Sequence, residues 1–275
     1  MNKGLESLVI EPHRGWLRIN WRELWLYREL LYFLTWRDVK VRYKQTVLGF
    51  LWAFLQPFIK LVVFSIIFGK LAKIDSEGYP YPIFLYAGLL PWQFFSEALT
   101  RSSNSVLGSG SLVTKVYFPR LLVPISSVGA CLVDFGIEFL ILFGLMLYYG
   151  VAPTLAMLWV IPLAMLTVLA ALGVGVFFSS LTVTFRDFRY ILPFLVQIWM
   201  YVTPVIYPST IMPAHWQWVI LLNPMSGLVD AWRDTVLGRA IDWPHLGVSF
   251  SVIVATFLFG LYYFRKMERE FADVI

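Results

Sequence analysis

Arg37, Lys40, Arg42 and Lys44 place four cations within eight residues of the stretch WRDVKVRYKQTVLGFLWAFLQP, residues 36–57. Taken as a helix, Trp36, Val39, Tyr43 and Val47 follow one helical repeat, while Arg37, Lys40 and Lys44 follow another about a third of a turn away. One face suits phosphate or water, and the other suits lipid or protein. Asp38 and Arg42, spaced i,i+4, are expected to pair. From Leu48 to Gly69 the only strongly polar residues are Gln56, Lys60 and Ser65, so the basic helix feeds a run long enough to cross a bilayer.

A second set of reactive groups lies inside apolar runs. Lys60, Glu97, Asp134 and Glu138 are costly in lipid and are expected to face protein or water. Asp134 and Glu138 share a face at i,i+4, where Lys60 or Arg101 would neutralise one of them. Carboxylates placed this way suit structural pairing or a proton relay. No catalytic set is indicated, because His13, His215 and His245 are scattered, and a membrane-embedded transferase is discounted on that ground. Cys131 is the single cysteine and reads as packing, and no Cys or His cluster has metal-ligand spacing.

The elements that hold these groups follow from composition. With 59% hydrophobic and 14% charged residues and a mean hydropathy of +0.71, the chain is an all-α polytopic membrane protein with no sizeable soluble domain. Residues 1–46 read as a cytoplasmic arm: an aperiodic stretch over 1–15, an interfacial amphipathic helix over 16–34, then the basic helix. Their steady charge gives no sign of a cleavable leader. Residues 47–275 read as one transmembrane domain with six spans, about 48–69, 83–99, 121–148, 155–183, 190–206 and 246–264. Prolines divide the apolar stretch from Pro204 to Pro244 into pieces too short to cross, predicting two re-entrant half-helices between spans five and six. One covers His215 to Leu222. The other is capped by Asn223, has Pro224 at its first position, and stops at Gly238. It carries Asp230, Arg233 and Asp234, a candidate outer gate or a solvated face. Lys and Arg number seventeen in one set of alternate loops and four in the other, which puts both termini in the cytoplasm.

Four motifs in order, RDVKVRYKQTVLGFLWAFLQP (37–57), FPRLLVP (118–124), FRD (185–187) and NPMSGLVDAWRD (223–234), resemble the membrane subunit of ABC-2 type polysaccharide exporters, the group that includes O-antigen and teichoic acid permeases. The resemblance covers nearly the whole chain. It implies a homodimeric permease of the bacterial inner membrane, paired with two copies of a separate ATPase subunit and moving a lipid-linked polysaccharide outward. ATP and Mg would be bound by that partner subunit, since the chain has no G-x-x-x-x-G-K-[ST] loop and no cofactor of its own is expected. A nucleic-acid partner is not expected.

On that resemblance, Arg37, Lys40, Arg42 and Lys44 sit where a lipid pyrophosphate head group arrives, and would attract it or act as a gate; topology-setting charge is the plainer reading. A coupling helix is implied in the 101–120 loop, where Lys115, Tyr117, Phe118 and Arg120 offer anchors, with Arg186 and Asp187 as a second contact. Trp52, Phe54, Phe58, Tyr86 and Trp92 are candidates to line a glycan path, although interfacial belts explain most membrane aromatics. A proton-coupled secondary transporter of a lipid or amphiphile is the alternative.

Overall fold

The computed structural model describes residues 21–44 and 50–271, with no strand among them. The arm over 1–15, the opening of the interfacial helix at 16–20 and the 45–49 junction, with Val47 and the expected boundary at 46/47, lie outside the described residues. Helix α1 (Trp21–Leu26) leads into α2 (Arg28–Tyr43), which packs on α6 (Leu122–Tyr149) through a face containing Leu34 and Val39. Trp25, Tyr32, Phe33 and Trp36 stay exposed on the other side, the split an interfacial helix requires.

The axis of the bundle is α4 (Tyr81–Gly108), 28 residues and about 42 Å long. Every residue from Ile83 to Phe95 is buried, because this half is apolar apart from Gln93 and packs against α6, α7 (Val160–Thr184) and α10 (Ser226–Leu237). After Phe95 the helix turns polar on one side, at Ser96, Glu97, Thr100, Arg101 and Asn104. Helix α5 (Gly110–Lys115) closes the turn into α6.

Four helical stretches are long and apolar enough to cross a membrane: Leu51–Leu71, Leu122–Tyr149, Leu155–Thr184 and Trp243–Met267, the last being α11. They coincide within three residues with the expected spans 48–69, 121–148, 155–183 and 246–264. The expected span at 83–99 lies within α4, whose polar second half keeps it out of this apolar set. The expected span at 190–206 is the shorter α8 (Phe188–Val202), about 22 Å against a core of about 30 Å. It stops where Pro204 forces Thr203 into extended backbone, at φ −86 and ψ 138.

The first span, α3 (Phe50–Phe64) continued by a π-helical turn at Ser65–Leu71, stands at the edge of the bundle. Only 11% of it is buried, against 44% for α6, so most of its surface awaits lipid or a partner. Helices α7 and α11 instead cross backbone to backbone: a Cβ on Gly260 would collide with the carbonyl oxygen of Gly173.

Between α8 and α11 lie α9 (Gln217–Leu222) and α10. Helix α10 begins at Ser226, and Asn223 caps the turn that leads into it as expected while also binding α8. Its Oδ1 accepts from the Met225 amide at 3.1 Å and the Trp199 indole at 2.9 Å, and its Nδ2 donates to Thr203 Oγ1 at 2.8 Å. Asn223 thus ties α10 to the end of α8. The C-terminus is as expected, with Gly238 left-handed at φ +69.

Candidate functional site

The polar stripe of α4 is not covered by the bundle. Together with α3 and α8 as walls, and with parts of α2 and α6, it lines a cavity of about 1020 Å³. Helix α3 contributes Trp52, Gln56 and Lys60, α8 contributes Arg189 and Val196, and α6 contributes Asp134 and Glu138. Glycan-sized volume and mixed polar and aromatic lining suit a hydroxyl-rich ligand rather than an acyl chain.

One end of this cavity is charged and paired. Arg42 at the end of α2 reaches in to Asp134 of α6 and lies 3.6 Å from Glu97 of α4. Arg101 holds the same Glu97 at 2.8 Å, and the Tyr43 hydroxyl donates to Asp134. This corrects the expected Asp38–Arg42 pair. Asp38 instead takes the neighbouring Arg37 at 2.9 Å, and Arg42 prefers carboxylates on other helices, where less water screens the attraction. It also corrects the expected neutralisation of Asp134 or Glu138 by Lys60 or Arg101, neither of which forms an ion pair with them among the described residues. Lys60 donates to Gln93 Oε1 at 3.1 Å, farther along the cavity, and Glu138 has no ion-pair partner among the described residues.

The four basic residues therefore separate. Arg42 belongs to the cavity, whereas Arg37, Lys40 and Lys44 are exposed, with Lys40 Nζ 5.5 Å from the Trp36 ring centre. The five aromatic candidates separate too. Trp52 lines the cavity; Phe54 and Phe58 are exposed on α3 and stack at 6.1 Å. Tyr86 and Trp92 are buried, Tyr86 donating its hydroxyl to the Glu138 carbonyl at 3.2 Å and Trp92 packing on Phe95 and Trp199.

Next to the charged end, the close of α4, helix α5 and the turn between α7 and α8 line a second cleft of about 580 Å³, with Thr114, Arg186 and Arg189 on its walls. Arg186 is exposed on its wall, Lys115, Tyr117 and Asp187 are exposed without lining it, and Phe118 is buried. Arg120 donates to the backbone oxygen of Glu268 just past α11, fastening the FPRLLVP turn to the C-terminal helix. Burial pushes the Glu268 carboxyl above its ordinary range, while Arg265 and Arg120 oppose the shift.

At the far end of α4 the charges are closed up. Arg233, 1% exposed, donates to Asp230 at 3.1 Å and to the carbonyls of Pro204 at 2.9 Å, Val205 at 3.0 Å and Phe84 at 3.4 Å, with its guanidinium 4.0 Å from the Phe84 ring centre. Asp230 also faces His245 at 3.6 Å. Asp234 pairs with Arg239 at 2.7 Å, and Arg239 with Glu77. Sequence reading singled out Asp230, Arg233 and Asp234 but missed the partners Glu77, Arg239 and His245, for which spacing along the chain carries no signal. Gln93 was missed for a similar reason: it sits in an apolar run, and only packing shows which face it occupies.

Residues 29–237 match the family described as ABC-2 type transporter. The chain is 33% identical over 257 residues to the O-antigen export system permease protein RfbA of Myxococcus xanthus, covering 92% of this chain and 98% of that one. It is 29% identical over 248 residues to the protein of the same name from Klebsiella pneumoniae, covering 90% and 95%. The polysialic acid transport protein KpsM of Escherichia coli is 26% identical over 245 residues, covering 85% and 91%. With the match running from α2 through α10 and carrying the cavity and the locked arginine, this chain, a multi-pass helical membrane protein, belongs to the ABC-2 type transporter family.

Proposed function

We propose that this chain is the permease subunit of an ATP-driven exporter that carries a lipid-linked polysaccharide across the bacterial inner membrane. The observation that carries the reading is the 1020 Å³ cavity, lined by hydroxyls, amides, charges and Trp52, in a chain whose near-full-length relatives are named for O-antigen export and polysialic acid transport. Driving energy comes from two copies of a separate ATPase subunit holding ATP and Mg. They dock over the 580 Å³ cleft, whose wall carries Arg186, and over the exposed Lys115, Tyr117 and Asp187 of the flanking segments. The chain works as a homodimer, with α3 and α8 facing the partner across the open side of the cavity. Both termini are cytoplasmic, α4 and α8 complete six spans, and α9 and α10 enter from the outer side and return.

In this arrangement the exposed Lys40 and Lys44 meet the pyrophosphate head at the cytoplasmic surface, each contributing on the order of 1 kcal/mol of attraction. Deleting the chain's gene should abolish surface glycan while its lipid-linked precursor accumulates, and wild-type chain should restore export; surface glycan that persists without the chain would overturn the reading. Lys40→Glu with Lys44→Glu should lower export about tenfold with ATPase assembly intact. Export that survives collapse of the proton gradient while ATP is kept separates this mechanism from a proton-coupled one.

A further inference from the structure

We propose that Gln93 and Glu138 form a sugar-hydroxyl binding station halfway along the cavity, a place where a ring of the passing glycan is held. The inference rests on the export reading above. Gln93 lies thirteen residues into α4, Glu138 seventeen residues into α6 and Lys60 eleven residues into α3 with its continuation to Leu71, so all three sit near the middle of their helical stretches. All three line the cavity.

Both side chains are more than nine-tenths buried, Gln93 at 6% exposure and Glu138 at 6%, yet each carries an atom with nothing to bond. Gln93 Nε2, a donor, and Glu138 Oε2, an acceptor, are both buried without a hydrogen-bond partner. Such groups are normally satisfied, and an unpaired donor and an unpaired acceptor on two residues that line one cavity suit a ligand that brings both kinds of group. A sugar hydroxyl does so. It donates its proton to the carboxyl oxygen and accepts from the amide, and neighbouring hydroxyls on one ring extend the pattern.

The frame around the pair is stiff. Lys60 donates to Gln93 Oε1 at 3.1 Å, which leaves the amide nitrogen as the unpaired end, and the Tyr86 hydroxyl donates to the Glu138 backbone carbonyl at 3.2 Å. Trp52 in the same cavity supplies an aromatic face. A bare acyl chain would leave the donor and the acceptor unpaired, so the station discriminates against lipid entering without its glycan. Asp134 and Glu97 cannot serve this way, because Arg42 and Arg101 already occupy them.

Two measurements test the assignment. In cells that depend on this chain for export, Glu138→Leu and Gln93→Leu should each lower surface glycan about tenfold at unchanged levels of the assembled ATPase complex. Glu138→Gln, which keeps an acceptor oxygen, should fall less than Glu138→Leu. Wild-type export by both leucine variants would overturn the station while leaving the export reading intact. Independently, Glu138→Cys is exposed to a small water-soluble methanethiosulfonate in inside-out vesicles with a hydrolysis-deficient ATPase subunit. Cys131, 1% exposed and the only native cysteine, serves as the unreactive control. Labelling should be several-fold slower in vesicles from cells that make the lipid-linked glycan than from cells that do not, whereas equal rates would overturn the station. If Glu138→Leu fails to assemble, this second measurement decides.

Discussion

Arg233 and Arg42 are both arginines set among apolar helices, and the protein uses them differently. Arg233 is enclosed, bonded to Asp230 and to three backbone carbonyls of two other segments. It serves as an internal strut that replaces hydrogen bonds lost where Pro204 and Pro208 break the chain after α8. Arg42 is 14% exposed, touches carboxylates from two helices, and stands at the mouth of an open volume. Buried charge around Arg233 is therefore architecture. Buried charge in the cavity instead joins three helices beside an open volume.

Substitutions test that contrast. The largest effect belongs to Arg233→Met, which leaves three carbonyls and Asp230 without their donor in a buried site and should cost about 3–5 kcal/mol. Thermal unfolding of the purified protein and its yield in membranes measure the loss. Adding Asp230→Leu should recover little, because most of what Arg233 satisfies is backbone.

Arg42→Leu comes next. It strands Asp134 and should cost about 2 kcal/mol, less than the full penalty because water reaches the pair. Here Arg42→Leu with Asp134→Leu should return the melting temperature close to wild type while export stays low, since an apolar pair packs but no longer responds to charge. Recovery of both stability and export would show that Arg42 is a strut like Arg233. Arg37→Ala, at an exposed pair with 46% and 23% side-chain exposure, should change stability by about 0.5 kcal/mol or less. A larger loss would place Arg37 in the cavity network.

Much of this was legible in the residues. Continuous apolar runs marked four spans within three residues, and Gly238 ended α10 as expected, because helix length and left-handed turns are written locally. Pro204 also announced a break, although α8 stopped two residues earlier than the proline itself. Partner choice was not legible. The i,i+4 spacing favoured Asp38 for Arg42, but a carboxylate 92 residues away on α6 offered a site with less competing water. The aromatic candidates failed to sort for the same reason, since α4 is apolar apart from Gln93 between Ile83 and Phe95 and its sequence cannot say that Tyr86 and Trp92 point into protein.

By itself the sequence determined that this is a helical membrane protein, where its apolar helices run, and that charges would be embedded among them. Those properties depend on composition and on periodicity within single helices, which the solvent reads one segment at a time. Only the tertiary structure decided which embedded charges are locked and which face an opening. That depends on how α2, α4 and α6 lie against one another, and on Gln93 and Glu138 meeting the same cavity from two helices.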